Sequence, residues 1–371
     1  MKILVVCQHY WPEPFRITEI CEDLVRRGHE VTAVVGLPNY PSGIIPPEYR
    51  WFRRRREQIH GVMLRRCFEV GRRNTKLGLA VNYCSYMISA TWKVLTMRKR
   101  HDVVFAYSTS PVLMSMPAAL LRCVSRKKLL IDVLDIWPAC LAAMNVYEGS
   151  MLYAFMKRVS RWIYARADML VYSSKRFQAY LQTVHGITVP EAQYWPQFAD
   201  SLFDQLPKAA KSSTVNLVFA GNIGKVQSVE TLIHAAALLR DEPVHFHIVG
   251  DGSGYEACRT LAATLSLQGS LTFHGRKPIT DMPAYYAMAD AMLVSMKYDV
   301  SVNDTLPGKV QSYMAAGKPI LGSIAGETPL IIAEAQCGYC APPEDAQAFA
   351  QIVRRFVATQ DKATLGQNAR A

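Results

Sequence analysis

Between positions 304 and 320 the chain reads Asp304-Thr-Leu306-Pro307-Gly308-Lys309-Val-Gln311-Ser312-Tyr-Met-Ala-Ala-Gly317-Lys-Pro-Ile320. Pro307 and Gly308 stop a loop and open a helix, so Lys309 falls in the first helical turn. A lysine there adds positive charge where the helix dipole is already positive, which is unfavourable unless an anion sits in front of it. The segment therefore points to anion binding, a phosphate foremost. Two glycine turns carry a weaker version of the same signal: Gly221-Asn222-Ile-Gly224-Lys225 and Gly250-Asp251-Gly252-Ser-Gly254, each between an apolar strand and a helix. Their bare backbone and helix N-termini suit phosphate or ribose oxygens, or they serve only as strand-to-helix turns. Asp135 follows the strand Leu129–Val133 and precedes Trp137-Pro138. It either caps that strand's carboxyl end or orients a reacting hydroxyl or sugar.

Other chemistries lack their residues. There is no Ser-His-Asp or Cys-His pattern, no HExxH and no clustered His/Cys, so no metal site is expected. His9 and His185 stand alone in the sequence and read as structural. Cys337-Gly-Tyr-Cys340 has no second CxxC to complete a zinc site, and nine scattered cysteines suit a reducing cytosol. The second glycine turn fails G-x-G-x-x-G at Tyr255, and the first strand has no glycine turn, which argues against a dinucleotide oxidoreductase.

These residues need a frame, and 371 residues suffice for two domains. Short apolar strands alternate with amphipathic helices, from Ile3–Cys7, Thr18–Arg27 and Val31–Val35 through Val103–Tyr107, Val112–Val124, Leu129–Val133, Met151–Ala165 and Met169–Tyr172. The rhythm breaks over a turn-rich stretch from Tyr194 to Thr214. It restarts with Val215–Ala220, Val229–Leu239, His245–Val249, Tyr255–Leu265, Leu271–His274, Pro283–Ala289, Ala291–Ser295, Lys309–Ala316, Pro319–Ser323 and Asp345–Thr359. Strand–helix alternation predicts two doubly wound α/β domains, over 1–200 and 201–345, with the C-terminal helix near 345–371 packing back on the first. Ligands bind such sheets at the carboxyl ends of their strands, so the cleft between the domains is the expected site.

Charge divides the same way. Residues 1–200 hold 28 Lys+Arg against 15 Asp+Glu, and residues 201–371 hold 14 against 15. Ten of the basic residues lie between Arg50 and Lys76, interleaved with Trp51 and Phe52, against Glu57 and Glu69 alone. This stretch is a solvated basic face or a dock for anionic lipid headgroups or a pyrophosphate, and no nucleic-acid motif accompanies it. The apolar run Leu77–Met97 carries Asn82, Ser/Thr and Lys93, so it reads as an amphipathic or buried helix and not a membrane span. The opening Met-Lys-Ile-Leu-Val-Val-Cys is too short for a signal peptide and reads as a buried strand.

The chain resembles the family-4 retaining glycosyltransferases of the GT-B fold, in the branch that builds bacterial surface polysaccharides. The resemblance spans nearly the whole chain. It rests on Gln8-His-Tyr-Trp-Pro-Glu-Pro14, Arg26-Arg-Gly-His-Glu-Val-Thr, Gly36-Leu-Pro-Asn-Tyr-Pro-Ser-Gly, Asp135-Ile-Trp-Pro138, Gly221-Asn-Ile-Gly-Lys, Val249-Gly-Asp-Gly, Phe273-His-Gly-Arg, Ala287-Met-Ala-Asp290 and the 304–319 segment. It implies a nucleotide-sugar donor on the C-terminal domain and an acceptor on the N-terminal one. Asp304 then takes the place of the family's first acidic residue, by the donor sugar. Ser312 stands where a second glutamate usually grips the ribose, a duty Gln311 would share. Asn222 and Gln227 replace the usual Arg and Lys after the first C-domain strand, and Ala139 replaces a glutamate after Trp137.

The family works without a divalent metal, so the resemblance assigns charge neutralisation of the leaving diphosphate to Lys309 and Lys225, with Arg276 a third candidate. It assigns the base to the backbone near Lys277, nucleotide contacts to Leu306 and the two glycine turns, and acceptor contacts to Pro14, Arg16 and Trp137. Front-face attack is implied, with the donor's β-phosphate taking the acceptor proton. The expected reaction is transfer from a UDP-sugar to a saccharide on polyprenyl pyrophosphate, by a cytoplasmic enzyme on the inner face of the membrane and with no nucleic-acid partner. A nucleotide-sugar 2-epimerase of the same fold, or a non-enzymatic membrane-associated binding protein, are the alternatives.

Overall fold

A computed structural model describes residues 1–40, 42–73, 75–208, 212–298 and 305–371. The chain forms two compact units, Met1–Trp195 and Pro196–Ala371. The break falls where sequence periodicity is lost.

The first unit is built on a seven-stranded sheet: β1 (Lys2–Val6), β2 (Glu30–Val35), β3 (Arg56–Ile59), β4 (Val62–Arg66), β5 (Val103–Ser108), β6 (Lys128–Val133) and β7 (Met169–Tyr172). The order is β3-β4-β2-β1-β5-β6-β7, parallel except for β3. Its helices are α1 (Ile17–Arg26), α2 (Lys76–Thr96), α3 (Met116–Ser125), α4 (Met151–Tyr164) and α5 (Lys175–His185). Strand alternation sorts the core into two layers. Leu4 and Val6 pack with Val104, Ala106 and Ile131 against Tyr86, Ala90 and Val94 of α2. Ile3 and Val5 pack on the opposite face with Ile17 and Cys21 of α1.

The second unit has a fully parallel six-stranded sheet: β8 (Val215–Ala220), β9 (Val244–Val249), β10 (Leu271–Gly275), β11 (Ala291–Ser295), β12 (Ile320–Ser323) and β13 (Gly338–Ala341), ordered β10-β9-β8-β11-β12-β13. Its helices are α6 (Val229–Leu238), α7 (Tyr255–Thr264), α8 (Met282–Met288), α9 (Gly308–Ala315), α10 (Thr328–Glu334), α11 (Ala346–Ala358) and α12 (Lys362–Arg370). In both sheets the parallel strands run 3-2-1-4-5-6 in order of appearance, with the reversal between β1 and β5 and between β8 and β11. Doubly wound sheets bind ligands at that reversal.

Several elements escape the sequence pattern. The basic stretch after Arg50 contains the β3–β4 hairpin, closed by a two-residue turn in which His60 (φ 46°) and Gly61 (φ 85°) are both left-handed. Helices α5, α10 and α12 and strand β13 are also additions. The C-terminal segment was expected on the first domain. Its described core contacts lie in the second unit, where Phe349, Val353 and Phe356 of α11 join Leu232 and Ile233 of α6. All nine cysteines are free. No described helix is long and apolar enough to cross a membrane.

Candidate functional site

At the carboxyl end of β8 the two glycine turns interlock. Gly221 and Gly250 (φ 142° each) and Gly252 (φ 156°) hold conformations that side chains disfavour. A Cβ on Gly250 would lie 1.8 Å from the Gly221 carbonyl oxygen. The turns are stitched by Ile223 N–H to the Asp251 carbonyl (2.9 Å) and Gly254 N–H to the Ile223 carbonyl (2.8 Å). Gly221 donates to Val249 and Gly250 to Gly275 (2.9 Å each). Gly224 N–H donates to the Gln227 side chain (3.1 Å) and Gly252 N–H to the Asp251 carboxylate (2.7 Å). Most of the N–H groups that the sequence offers for phosphate are thus engaged, within the turns or with the ends of β9 and β10.

The open positive group is Lys309. Its Nζ is buried and has no hydrogen-bond partner among the described residues. It stands 4.0 Å from the centre of the Phe219 ring and would lie 3.1 Å from a Cβ on Gly221. Burial pulls its pKa down to about 7. Tyr313, one helical turn further on, fixes the position: its hydroxyl donates to the Ala220 carbonyl (3.0 Å) and accepts from Ala220 N–H (3.2 Å). This clamp ties α9 to the last residue of β8 and brings Lys309 over the strand end.

The other expected donor residues divide around this centre. Lys225 is exposed in a short turn that is anchored at the end of β11, where Ser295 Oγ donates to the Gln227 carbonyl (2.6 Å). Asn222 is exposed, and its amide reaches Gln227 at 3.5 Å. Asp251, Arg276 and Lys277 are exposed. Leu306 is buried in the core with Phe203 and Val310. Ser312 is buried, its hydroxyl 3.5 Å from the Gly308 carbonyl. Gln311, with its amide nitrogen turned inward, donates to the carbonyls of Pro307 and Gly308 at 3.1 Å. Asp304 lies outside the described residues.

In the first unit, Asp135 accepts from Ser110 N–H (2.7 Å), which links the loops after β5 and β6, and burial raises its pKa. Trp137 is buried; its indole donates to Ser110 Oγ (3.1 Å), and its carbonyl meets His185 Nε2 (2.7 Å). Pro14 is exposed and Arg16 half-buried at the start of α1.

Sequence reasoning missed the most elaborate feature of this unit, a buried polar network at the carboxyl ends of β1, β2 and β4. Glu69 accepts from Gln8 (2.7 Å), Asn82 (2.6 Å), Asn39 (3.0 Å) and Leu37 N–H (3.0 Å). Burial still raises its pKa to about 7. Glu13 accepts from Asn39 N–H (2.7 Å) and Tyr40 N–H (2.6 Å) and pairs with His9 Nδ1 (2.7 Å). The His9 ring stacks on Phe15, with centroids 4.6 Å apart. Glu13 lies inside a motif quoted above, and Glu69 was counted only against the arginines around it. The usable signal was a lone carboxylate just after a strand, matched by Asn82 inside an apolar helix.

A second polar cluster occupies one face of the second sheet. His247 meets His274 (3.0 Å) and Asn216 (3.1 Å), and His245 meets Thr272 (2.8 Å). Desolvation, then the neighbouring His245 and His274, lower the His247 pKa to about 4. Among the described residues no three His, Cys, Asp or Glu converge as a metal site.

Comparison with known proteins places this arrangement. Residues 15–194 match the sequence model of the glycosyl transferase 4-like domain, and residues 203–371 that of the glycosyl transferases group 1. WbjE of Pseudomonas aeruginosa, named as a glycosyltransferase, is 27% identical over 306 residues, covering 77% of this chain and 74% of its own. WcaI of Escherichia coli (strain K12), named as a colanic acid biosynthesis glycosyl transferase, is 24% identical over 378 residues, covering 96% and 92%. HepE from Anabaena, solved in complex with UDP, superposes with a TM-score of 0.71 at 17% identity, over 100% of this chain and 94% of that one. Two sequence models that together take in nearly all of the chain, and two parallel α/β domains of matching fold, make it a GT-B glycosyltransferase.

Proposed function

We propose that this enzyme moves a sugar from a UDP-sugar to a lipid-linked saccharide, with retention and without a divalent metal, in the biosynthesis of a bacterial surface polysaccharide. The observation that carries the reading is the buried ammonium of Lys309 at the end of β8, which has no partner among the described residues. An unpaired cation held out of water is costly, and a diphosphate supplies the missing partner. As the glycosidic bond breaks, the leaving diphosphate gains negative charge, which Lys309 neutralises with help from Lys225. HepE, of the same fold, binds UDP. The glycine turns, Leu306, Gln311 and Ser312 frame the nucleotide, Arg276 is a third cation for the diphosphate, the backbone near Lys277 holds the base, and Asp304 meets the donor sugar. Asp135, Trp137, Pro14 and Arg16 serve the acceptor, whose polyprenyl pyrophosphate keeps the enzyme at the inner face of the membrane.

The test is thermal stabilisation by a panel of nucleoside diphosphates without added metal, since a ligand of the folded state raises its apparent stability. UDP stabilises the wild type, and Lys309→Ala abolishes both the shift and sugar transfer. Because binding recharges Lys309, UDP binding takes up a proton. Affinity therefore falls as pH rises above about 7, by up to about tenfold per unit. A nucleoside diphosphate shift that survives Lys309→Ala unchanged overturns the assignment.

A further inference from the structure

Helix α2 is exposed along one apolar face. Leu77, Val81, Cys84, Ile88 and Trp92 recur every three to four residues and point to solvent, with Leu77 and Trp92 about three-quarters exposed. The opposite face, Tyr86, Ala90 and Val94, is fully buried in the core. Over its 21 residues the helix carries two charged residues, its first residue Lys76 and Lys93. A water-facing helix surface is normally polar, and a continuous apolar one marks a place where something docks.

Beside Trp92 the helix meets the β3–β4 hairpin across a cavity of about 310 Å³, lined by Arg56, Arg65, Lys93, Thr96, Met97 and Arg100. Arg56 and Arg65 face each other across the hairpin register. Four cations converge and no carboxylate lines the cavity. None of the four has an ion-pair partner among the described residues, although Arg54, Arg66 and Glu57 pair with one another close by. Such a cluster repels itself, and burial together with Arg56 and Arg100 depresses the Arg65 pKa. An anion relieves the repulsion.

We propose that this surface docks the first unit on an anionic lipid bilayer, with the α2 stripe in the headgroup–acyl boundary and the four-cation cavity holding a lipid headgroup phosphate. The proposal rests on the lipid-linked acceptor of the proposed function and names the surface that reaches it. Charge complementarity selects the occupant. A second copy of the chain would set arginines against arginines, whereas a bilayer presents apolar depth and phosphate together. Trp92 has the amphipathic ring favoured at that boundary, and a helix lying in the interface is held by both apolar burial and cationic contacts.

The experiment is co-sedimentation of the full chain with vesicles of phosphatidylcholine alone or mixed with phosphatidylglycerol, with inorganic phosphate as the soluble probe. Wild-type protein binds the mixed vesicles and largely ignores the neutral ones. Arg65→Gln with Arg100→Gln weakens binding to mixed vesicles roughly tenfold or more, and Trp92→Glu does the same. Arg65→Lys with Arg100→Lys retains binding, which separates charge from misfolding. UDP stabilisation is unchanged in every variant, and Lys309→Ala binds vesicles like the wild type. If the proposed donor site fails its UDP test while this vesicle pattern holds, the docking surface stands without it. Equal binding to neutral and mixed vesicles overturns the proposal. So does a Gln pair that loses inorganic phosphate yet keeps vesicle binding.

Discussion

The two units carry the same strand order and differ in how the carboxyl ends of their sheets are finished. In the first, the described donors facing Glu69 and Glu13 are matched, and the network that locks the ends of β1, β2 and β4 leaves one of its atoms, Gln8 Oε1, without a described partner. In the second, the glycine turns satisfy one another and leave one strong group, the Lys309 ammonium, with no described partner. Buried polar groups are nearly always paired and an unpaired charge costs the most, so the orphan ammonium marks the place of a ligand where an unpaired neutral atom such as Gln8 Oε1 does not. The donor reading follows from the second finish. The first explains how the loop after β1 keeps its shape without help from a ligand.

Breaking the closed side has the largest effect on stability. Glu69→Ala strips the common acceptor from Gln8, Asn39, Asn82 and Leu37 N–H, all buried. Leaving several buried donors unmatched costs about 3–5 kcal/mol. Chemical denaturation shows the loss, and the UDP-induced shift of the second unit persists. Gly36→Ala attacks the same centre from the backbone, since its Cβ would sit 1.9 Å from Glu69 Oε2. A loss below about 1 kcal/mol in Glu69→Ala would mean the network is not closed.

The open side responds in the opposite direction. Lys309→Met keeps the length of the side chain and removes a buried cation that has no partner among the described residues, so the empty protein gains about 1–3 kcal/mol while losing donor binding. The sign has a pH signature. Lys309 has a folded pKa near 7, against 10.5 for the exposed group. The unfolded chain therefore binds more protons between those values, and wild-type stability rises with pH across that window. In Lys309→Met this rise disappears. A variant less stable than the wild type at pH 7 would show that the ammonium has a partner after all.

Acid separates the units by smaller amounts. Glu69 and Asp132, both raised to about 7 by burial, contribute stability below their unfolded values near 4, which is lost as pH rises towards 7. His247, lowered to about 4, behaves oppositely: its contribution is complete above the unfolded value near 6.5 and is lost as pH falls towards 4. Acidification from pH 7 to pH 5 thus strengthens the contribution of Glu69 and Asp132 in the first unit, where His101 and His185, also lowered by burial, pull the other way, and weakens the second. Hydrogen exchange corrected for its intrinsic rate reads this unit by unit, and His247→Asn flattens the trend in the second.

How much of this was legible depended on whether the signal was local. Periodicity revealed β1, β2 and β5 through β12 because strand burial repeats along the sequence. The β3–β4 hairpin was hidden: β3 is the edge strand, β4 lies next to it, both carry arginine, and charge there obscures alternation. Lys309 was legible because helix-start grammar made its charge anomalous. Glu69 was not, because its partners come from positions 8, 37, 39 and 82. The glycine turns were half legible. Their flexibility shows in the sequence, but that each turn consumes the other's N–H groups is a fact of packing.

Tyr313→Phe asks how finely the open side is held. The hydroxyl bonds both polar atoms of Ala220's backbone and is the described polar tie between α9 and the end of β8. Phe fills the same volume, so the loss is confined to those bonds, about 1 kcal/mol each for neutral buried partners. Part of that cost falls on stability and part on the placement of Lys309 beside Gly221. Titration of UDP against the variant gives a several-fold weaker affinity, with the same decline above about pH 7 as the wild type. Retained pH dependence with lowered affinity identifies Tyr313 as a positioning residue. A shift in the pH at which affinity declines would instead mean that the hydroxyl itself sets the environment of the ammonium.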